Sequence, residues 1–199
     1  GTGLFRLDTS TYRDGTVSYE QYVYDAQNPR SLSDNSIWAL HQDSGGALWV
    51  GTSSGLNRFD PASKSFRRYR EKDGLPNENI LCILEGAQHL WISTNDGLAR
   101  FDPQSGTIRV FDVTDGMQSN EFDSGACLKT SRGEMLFGGV QGLNLFRPEE
   151  IQDNPSPPPV VITSFRIFNE PVAANLAGGT PIRLSYRQNF ISFEFTALD

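Results

Sequence analysis

Short apolar and alternating stretches, separated by turns rich in Gly, Asn, Asp and Ser, follow one another through most of this 199-residue chain. Residues 56–59 alternate with the two-residue period of a strand that has two unlike faces. Residues 80–84 are apolar throughout, which is typical of a strand buried on both faces, and residues 37–41 are nearly so. No stretch shows the 3.6-residue apolar period of an amphipathic helix. The pattern therefore predicts an all-β protein.

A hairpin motif recurs along the chain. Residues 48–61 read Leu-Trp-Val-Gly-Thr-Ser-Ser-Gly-Leu-Asn-Arg-Phe-Asp-Pro, residues 90–103 repeat this pattern closely, and residues 135–148 repeat it with more divergence. In the first copy an aromatic and β-branched stretch leads into a glycine turn, and the final proline cannot donate to a sheet. A shortened copy opens the chain, so the Gly-Leu pairs begin at positions 3, 55, 97 and 142. Strand repeats of this length indicate a radial array or a solenoid.

Each full repeat predicts four short strands: an apolar inner strand, the two strands of the hairpin, and a polar outer strand. Four antiparallel strands in about 40–45 residues form the unit of a β-propeller blade. We therefore predict a partial β-propeller of about three blades over residues 1–148. We expect Trp49, Trp91 and Phe137 to pack one blade against the next. The predicted inner strands are residues 37–41, 80–84 and 124–129, and the predicted outer strands are residues 16–24, 65–70 and 107–111.

The composition changes after the third motif. Residues 149–158 form a Pro-rich segment, which favours an extended and semi-rigid linker. Three further strands are predicted beyond it. They fit the first strands of an immunoglobulin-like β-sandwich, so residues 159–199 are interpreted as the N-terminal part of such a domain. The three predicted strands are residues 160–168, 181–186 and 189–195.

Charge and composition exclude some partners. The formal net charge is -7 and no basic stripe is visible, so we do not expect nucleic acid as a partner. No apolar run approaches the roughly 20 residues of a membrane span, so no membrane contact is expected of this segment. No secretory leader is visible, but the first residues already lie inside a repeat. We therefore expect the chain to be a piece of a longer protein.

The two cysteines, Cys82 and Cys127, fall near matching places in neighbouring repeats. Equivalent side chains in two blades need not meet, so we expect two buried free thiols rather than a disulfide. The spacing of Cys, His, Asp and Glu matches no metal site, and neither a metal nor a cofactor is predicted.

With the repeats and the tail in place, the sequence resembles the input region of two-component regulator-propeller receptors. These are bacterial membrane sensors, often hybrid histidine kinases and sometimes diguanylate cyclases. Residues 48–60 match the repeat Leu-Trp-x-Gly-Thr-x-x-Gly-Leu-x-x-Phe-Asp almost fully, and residues 89–103 depart from it with Ser93 in place of glycine. Residues 137–148 resemble the terminal blade of that family. The bridge and the strand from Val160 resemble the start of its triple-tyrosine, immunoglobulin-like domain.

The resemblance implies a periplasmic, ligand-sensing and signal-transmitting region that is not itself an enzyme. It implies an oligosaccharide or another small molecule as ligand and self-association through the propeller. An output module such as a kinase or cyclase would lie elsewhere in the receptor. The family carries many more blades than this chain contains.

Two sets of loops are expected to share one face of the propeller. One set precedes the inner strands, and the other forms the tips of the motif hairpins. Together they would make a rim of amides, hydroxyls and carboxylates that suits a sugar, with one tryptophan as the aromatic partner. The alternative is that Asn35, Asn79 and Asn120 only stabilise their own turns through side-chain hydrogen bonds to the backbone. The candidate ligand-binding residues are Trp38, Ser53, Ser54, Asn77, Asn95, Asp96 and Gln141.

Two other function classes stay open at this point. A propeller enzyme, such as a lyase or a glycoside-cleaving protein, would need a cluster of His, Glu or Arg at one channel mouth. His41 and His89 are the only histidines and no nucleophile motif surrounds them, so no catalytic residue is predicted. A non-catalytic scaffold for protein interactions is the other alternative. We interpret Arg67, Arg68, Arg70 and Arg109, on the outer strands, as solvated edge residues.

Overall fold

The computed structural model describes residues 1–9, 18–152, 160–172 and 181–197. The chain divides into two compact units, Gly1–Ile151 and Gln152–Asp199. Most of the predicted Pro-rich linker lies outside the described residues, as do residues 16 and 17 of the first predicted outer strand. The domain limits drawn from the sequence therefore stay predictions.

The first unit is a series of antiparallel sheets, each built from consecutive strands, as in the blades of a β-propeller. The second and third sheets have four strands each, while the described residues give the first sheet two and the fourth sheet three. The first sheet contains β1 (Leu4–Asp8) and β2 (Ser18–Tyr22), and the second contains β3 (Ile37–Gln42), β4 (Leu48–Thr52), β5 (Gly55–Asp60) and β6 (Ser65–Tyr69). The third contains β7 (Ile80–Gly86), β8 (His89–Thr94), β9 (Gly97–Phe101) and β10 (Ile108–Phe111), and the fourth contains β11 (Phe122–Lys129), β12 (Met135–Gly139) and β13 (Gly142–Phe146).

The order inner strand, hairpin, outer strand is the order predicted from the repeat, and the partial propeller is confirmed. Short 3-10 turns at Glu71–Asp73, Val113–Asp115 and Pro148–Glu150 follow the last strand of the second, third and fourth sheets. Each hairpin of the repeated motif (β4–β5, β8–β9 and β12–β13) turns at a glycine with positive φ, for example Gly55 at 127° and Gly97 at 112°, where a residue with a Cβ would be strained.

Aromatic side chains join consecutive sheets. The Trp49 ring of β4 meets Phe101 of the third sheet edge to face, with the centroids 5.3 Å apart. The Trp91 ring of β8 meets Phe146 of the fourth sheet at 4.8 Å. Trp49 and Trp91 are buried, and each belongs to the apolar core between its own sheet and the next. The predicted role of the two tryptophans is confirmed.

Phe137 also packs between sheets, but on the opposite face from the one the motif suggests. In the sheet register it faces Asn144, the place that Ile92 takes opposite Ala99 in the third sheet. Leu136 therefore takes the position of Trp91. The third motif has one residue fewer between its aromatic residue and the turn glycine, and a one-residue shift moves a side chain to the other face of a sheet.

Two of the predicted inner strands differ from expectation. β7 is buried over its first four residues, as predicted, but Trp38 and Leu40 of β3 are about half exposed. The first sheet, in its described part, covers the outer half of the second sheet, where Tyr22 packs on Phe59 and Phe66. It leaves Trp38 and Leu40 of β3 exposed. β11 begins two residues earlier than predicted and contains a bulge between its first residue and Cys127.

The expectation of two free thiols is wrong, because Cys82 and Cys127 form a disulfide across the interface between the third and fourth sheets. Their Cα atoms are 6.4 Å apart, and 45 residues separate them in the chain. Cys82 faces forward from β7, whereas the bulge in β11 turns Cys127 back towards the third sheet. The two positions are therefore not equivalent, and their side chains meet.

The two tryptophans differ in the partner of the indole N–H. Trp49 Nε1 donates to Asp43 Oδ2 at 2.7 Å, and the same carboxylate accepts from the Ala47 amide at 2.8 Å. Trp91 Nε1 is buried with no hydrogen-bond partner in the described part of the chain. The turn before β8 contains only Ala87 and Gln88, both with positive φ, so it has no place for an aspartate.

The second unit contains one described sheet, with strand order β15-β14-β16. These strands are β14 (Val160–Ile167), β15 (Glu170–Pro171) and β16 (Ile191–Ala197). The prediction of a strand at residues 181–186 is wrong. These residues are exposed and unpaired with any described strand, and a turn follows in which the Gln188 amide donates to the Ser185 carbonyl. With no sheet face to bury, the apolar side chains there do not stabilise a strand.

We expect Trp49→Phe to lower the free energy of unfolding by about 1–2 kcal/mol more than Trp91→Phe. Both substitutions remove the same ring area from a blade interface, but only the first removes a hydrogen bond to a carboxylate. Urea denaturation of the two variants measures the difference. Equal losses would show that the Asp43 interaction does not stabilise the fold.

Replacing both cysteines by serine should lower the free energy of unfolding by about 3–4 kcal/mol, since a disulfide that closes a loop of this length restricts the unfolded chain by about that amount. Reductant should destabilise the natural chain and leave the double variant unchanged. Thiol titration of the unreduced, denatured chain should find no free thiol, and finding two would contradict the assignment.

Candidate functional site

The tip of the first full hairpin lies beside the start of β3. Trp38 Nε1 donates to Ser53 Oγ at 2.8 Å, so these two candidate residues form one cluster. Trp38 is 50% exposed, which leaves much of its ring free for a ligand. Ser54 Oγ is 3.5 Å from Asp34 Oδ2, and its amide donates to Thr52 Oγ1. An exposed aromatic ring beside hydroxyl and carboxylate groups is the combination expected for a polar small-molecule site.

Asn77 has a structural role that the other two repeats share. Its Oδ1 accepts from the Asn79 amide at 2.9 Å, just as Asp34 accepts from Ser36 and Ser119 from Glu121. These residues end the loops before the inner strands with the same side-chain turn. A repeated turn favours a local structural role for the Asn77 carbonyl oxygen.

The three asparagines considered as structural alternatives behave differently from one another. Asn35 Oδ1 accepts from the Tyr24 amide at 2.7 Å, and Asn120 Oδ1 accepts from the Val113 amide at 3.1 Å. Both therefore bind backbone at the end of the preceding outer strand rather than in their own turns. Asn79 Oδ1 is buried without a hydrogen-bond partner in the described ranges.

The second hairpin tip connects to the fourth sheet. Asn120 Nδ2 donates to Asp96 Oδ1 at 3.0 Å, and the Asn120 carbonyl accepts from the Gly97 amide at 2.7 Å. The Asp96 carboxylate is exposed, so it combines a fixed position with access to solvent. Asn95 is exposed next to it, and its side chain forms no hydrogen bond with any described residue.

The third hairpin tip uses a different residue for the same bond. In the first two tips a threonine hydroxyl accepts the amide of the third turn residue, as Thr94 does for Asp96 at 3.1 Å. In the third tip Gly139 replaces that threonine, and Gln118 Oε1 accepts from the Gln141 amide at 2.7 Å. A Cβ at Gly139 would lie 2.1 Å from Gln118 Nε2, so the glycine makes room for the glutamine side chain.

The structure thus brings together some of the candidate residues. Trp38 and Ser53 are in contact, Asp96 is held by Asn120, and Gln141 is held by Gln118. These small clusters lie on successive sheets, at the end where the hairpins turn. No hydrogen bond between described residues joins one cluster to the next, and a ligand that used several of them would have to span neighbouring blades.

A second polar cluster lies at the other end of the inner strands. Glu85 accepts from the Ser44 hydroxyl at 2.6 Å and from the Ser44 amide at 2.8 Å, and His41 Nε2 is 3.7 Å from the same carboxylate. Lys129 Nζ donates to the Glu85 carbonyl at 2.7 Å. The carboxylate, rather than the imidazole, holds the serine hydroxyl. The cluster therefore does not contain the base-activated serine of a nucleophilic enzyme.

The described residues contain neither a metal-binding cluster nor a helix suited to cross a membrane. No group of three or more His, Cys, Asp or Glu side chains there is placed to hold a metal ion. Within the same residues no helix has the length and apolar character needed to cross a membrane.

Arg68 is not the solvated edge residue that the sequence suggested. Its guanidinium donates to the backbone carbonyls of Ser31 at 2.8 Å, Asn28 at 2.9 Å and Leu32 at 3.1 Å. Burial lowers the pKa of this guanidinium from its ordinary value, although arginine stays charged at neutral pH. Arg68 therefore fixes the loop before β3 against the outer strand β6. The sequence carries no signal for this, because the carbonyls lie about 40 residues away in the chain.

The stacked antiparallel sheets and their repeated hairpins define a β-propeller protein. Residues 31–54 and 74–96 match the family described as two component regulator propeller. The predicted family assignment is therefore confirmed.

A histidine kinase of Formosa agariphila is 30% identical over 138 residues, which are 69% of this chain. The chain spans 7% of the length of that kinase.

Solved structures share the fold. An extracellular domain from B. thetaiotaomicron, assigned to a hybrid two component system, has a TM-score of 0.52 and 24% identity over 98% of this chain and 25% of its own. A structure of an extracellular domain from the same organism, assigned to a one component system, gives 0.50 and 25% over 98% of this chain and 24% of its own. PorZ, a surface component of the type-IX secretion system of Porphyromonas gingivalis, gives 0.57 and 13% over 98% and 35%.

We expect Asn77→Ala to lower the free energy of unfolding by about 1 kcal/mol, because the Asn79 amide loses its acceptor. Asn95→Ala should stay within about 0.5 kcal/mol of the natural chain, since its side chain is exposed and makes no hydrogen bond in the described structure. Asn77→Asp keeps the acceptor and serves as the control. A similar loss in the alanine variants of both residues would contradict the distinction between turn residue and free rim residue.

Proposed function

We propose that this chain is part of the extracytoplasmic, ligand-sensing region of a two-component-type membrane receptor. The observation that carries the proposal is the match of two repeats to the two component regulator propeller family. The likeness to an extracellular domain assigned to a one component system, and to a histidine kinase, supports it. The chain would then bind and transmit a signal, while the output reaction belongs to another part of the receptor.

The disulfide supports an extracytoplasmic location. Structural disulfides persist in the bacterial periplasm and other oxidising compartments, and they are rare in the reducing cytosol. The Cys82–Cys127 bond joins two inner strands within the core of the propeller unit, where it acts as a structural link. A periplasmic site for this unit is thus part of the proposal.

The proposed ligand is a carbohydrate or another polar small molecule, and the proposed site is the rim at the hairpin tips. Trp38 supplies an exposed ring held by Ser53, and Asp96 supplies an exposed carboxylate held by Asn120. Positioned polar groups with an aromatic face suit a sugar, and their places on successive sheets suit a ligand that spans blades. Binding that favours one arrangement of the blades over another would shift the population of receptor states.

Self-association is a further part of the proposal. Apolar side chains are exposed on the faces of the first and fourth sheets that point away from the packed blades. They would be covered if those faces met other sheets, in the same receptor or in a second copy. The exposed residues are Phe5, Leu7 and Tyr19 on the first sheet, and Leu128, Leu143 and Leu145 on the fourth.

A thermal-shift panel of neutral glycans and small metabolites tests the proposed function. We expect at least one compound to raise the melting temperature saturably without being consumed. Trp38→Ala should weaken that binding by about tenfold, as loss of an aromatic anchor does. Leu40→Ala removes an exposed apolar side chain from the same strand and serves as the control.

Each other outcome favours a different function. Turnover of a compound would support the alternative of a propeller enzyme. Binding that Leu40→Ala weakens as much as Trp38→Ala would move the site away from the rim. No stabilisation by any compound would leave the scaffold for protein interactions as the better explanation.

A further inference from the structure

A groove of about 1060 Å³ runs along the outer strand β6 and the loops beside it. Its lining carries five cationic and three anionic side chains, a formal charge of +2 (5 − 3), on a chain whose formal net charge is -7. The positive charge is therefore concentrated here against the sign of the whole molecule. The cationic residues are Arg30, Arg67, Arg68, Arg70 and Lys72, and the anionic residues are Asp60, Glu71 and Glu78.

Three of the cations, Arg68, Arg70 and Lys72, belong to one blade and not to the repeat, whereas Arg67 has Arg109 as its equivalent in the third sheet. A general device to protect sheet edges would place charge on every outer strand. Instead, the three sheets carry different residues at these positions, counted along the outer strand and the residues that follow it. The second sheet has Arg67, Arg68, Arg70 and Lys72, where the third has Arg109, Val110, Asp112 and Thr114 and the first has Glu20, Gln21, Val23 and Asp25. Residues that vary between structurally equivalent repeats are better candidates for a ligand than residues that repeat.

The surrounding structure positions these cations without neutralising them. Arg68 is bound to backbone carbonyls and forms the connection between β6 and the loop before β3. Arg67 lies over the Tyr69 ring at 4.9 Å, and the Arg30 carbonyl accepts from the Phe66 amide at 2.7 Å. In the described structure no ion pair engages Arg67, Arg70 or Lys72, whereas the Arg30 charge interacts with the Asp60 carboxylate. The charges of Arg67, Arg70 and Lys72 are available to a ligand whose anionic groups are spaced along a chain.

The rest of the groove suits a saccharide. The Tyr24 ring is 42% exposed beside Pro29 and provides an apolar surface for the face of a sugar ring. Ser63 and Ser65, whose hydroxyls are hydrogen-bonded at 2.7 Å, line the other part. Guanidinium groups bind carboxylates in a planar, two-point geometry. Rings, hydroxyls and guanidiniums together match a sugar acid better than a flexible acidic peptide.

We propose that this groove binds an acidic oligosaccharide through the carboxylates of its uronic acid residues. The site lies on the outer edge of the second sheet and uses none of the rim residues. The proposal rests on the proposed function only in taking a saccharide as the ligand. It would make charge recognition a second contact of the sensor, separate from the rim.

Isothermal titration calorimetry with trigalacturonate and its methyl ester tests the proposal on the natural chain. We expect saturable binding of the acid that weakens as salt is added, because charge attraction is screened, and no binding of the ester. Arg67→Gln should raise the dissociation constant by about tenfold. Arg109→Gln is the matched control, because Arg109 takes the same place in the third sheet and lies over Phe111 in the same way, at 4.5 Å.

Four results with the acid, its ester, the arginine variants and an acidic peptide would overturn the proposal, as would a fifth with Trp38→Ala. These are no binding of the acid, equal binding of acid and ester, equal loss in the two arginine variants, and equal or tighter binding of hexaglutamate. A loss of acid binding in Trp38→Ala would also place the site at the rim. If the acid binds in the groove while the rim panel fails, only the proposed function falls.

Discussion

The structure of the propeller unit depends on one contact that is made twice, in which a tryptophan of one sheet inserts against a phenylalanine of the next. Trp49 and Trp91 point forward, while Phe101 and Phe146 point back to receive them. Phe59 points back in the same way, towards Tyr22 of the first sheet. Large aromatic side chains in such interfaces contribute on the order of 3–5 kcal/mol each, measured by truncation to alanine. The hairpin motif recurs because it places this pair at a fixed distance along each strand.

The sequence was sufficient for the architecture because strand period and turn glycine repeat together. β4, β5, β8 and β9 lie within a residue or two of the places that the motif assigns to them. The motif alone did not show on which side of the sheet each aromatic or cysteine side chain lies. Phe137 stands one motif position later than Trp49 and Trp91 and so lies on the other face, and the bulge in β11 brings Cys127 to Cys82. Both surprises have the same cause, which is the strict two-residue alternation of a strand.

The polar residues of the site were only partly predictable. A backbone amide before the inner strand and an asparagine side chain of the hairpin form a hydrogen bond in two repeats, and both partners are replaced in the third. The Ser33 amide donates to Asn57 Oδ1 at 2.9 Å, and the Gln118 amide donates to Asn144 Oδ1 at 3.2 Å. In the third sheet Pro76 has no amide hydrogen to satisfy, and Ala99 stands where the asparagine would be. The polar residues with a structural role therefore occupy equivalent positions in different repeats, and such equivalent residues form a set. Trp38, Arg70 and Lys72 belong to no such set.

The position of the disulfide affects how the blades can move. It crosses between the innermost strands of the third and fourth sheets, whereas side-chain packing and hydrogen bonds alone connect the second sheet to the third. Two sheets that are covalently joined near their common axis cannot slide past each other, so they rotate as one body. Sliding of the third sheet against a neighbour is then possible only at its interface with the second sheet, between β3 and β7. A ligand bound at the first hairpin tip would contact the second sheet, which lies on the side of this interface without a covalent link and can therefore move.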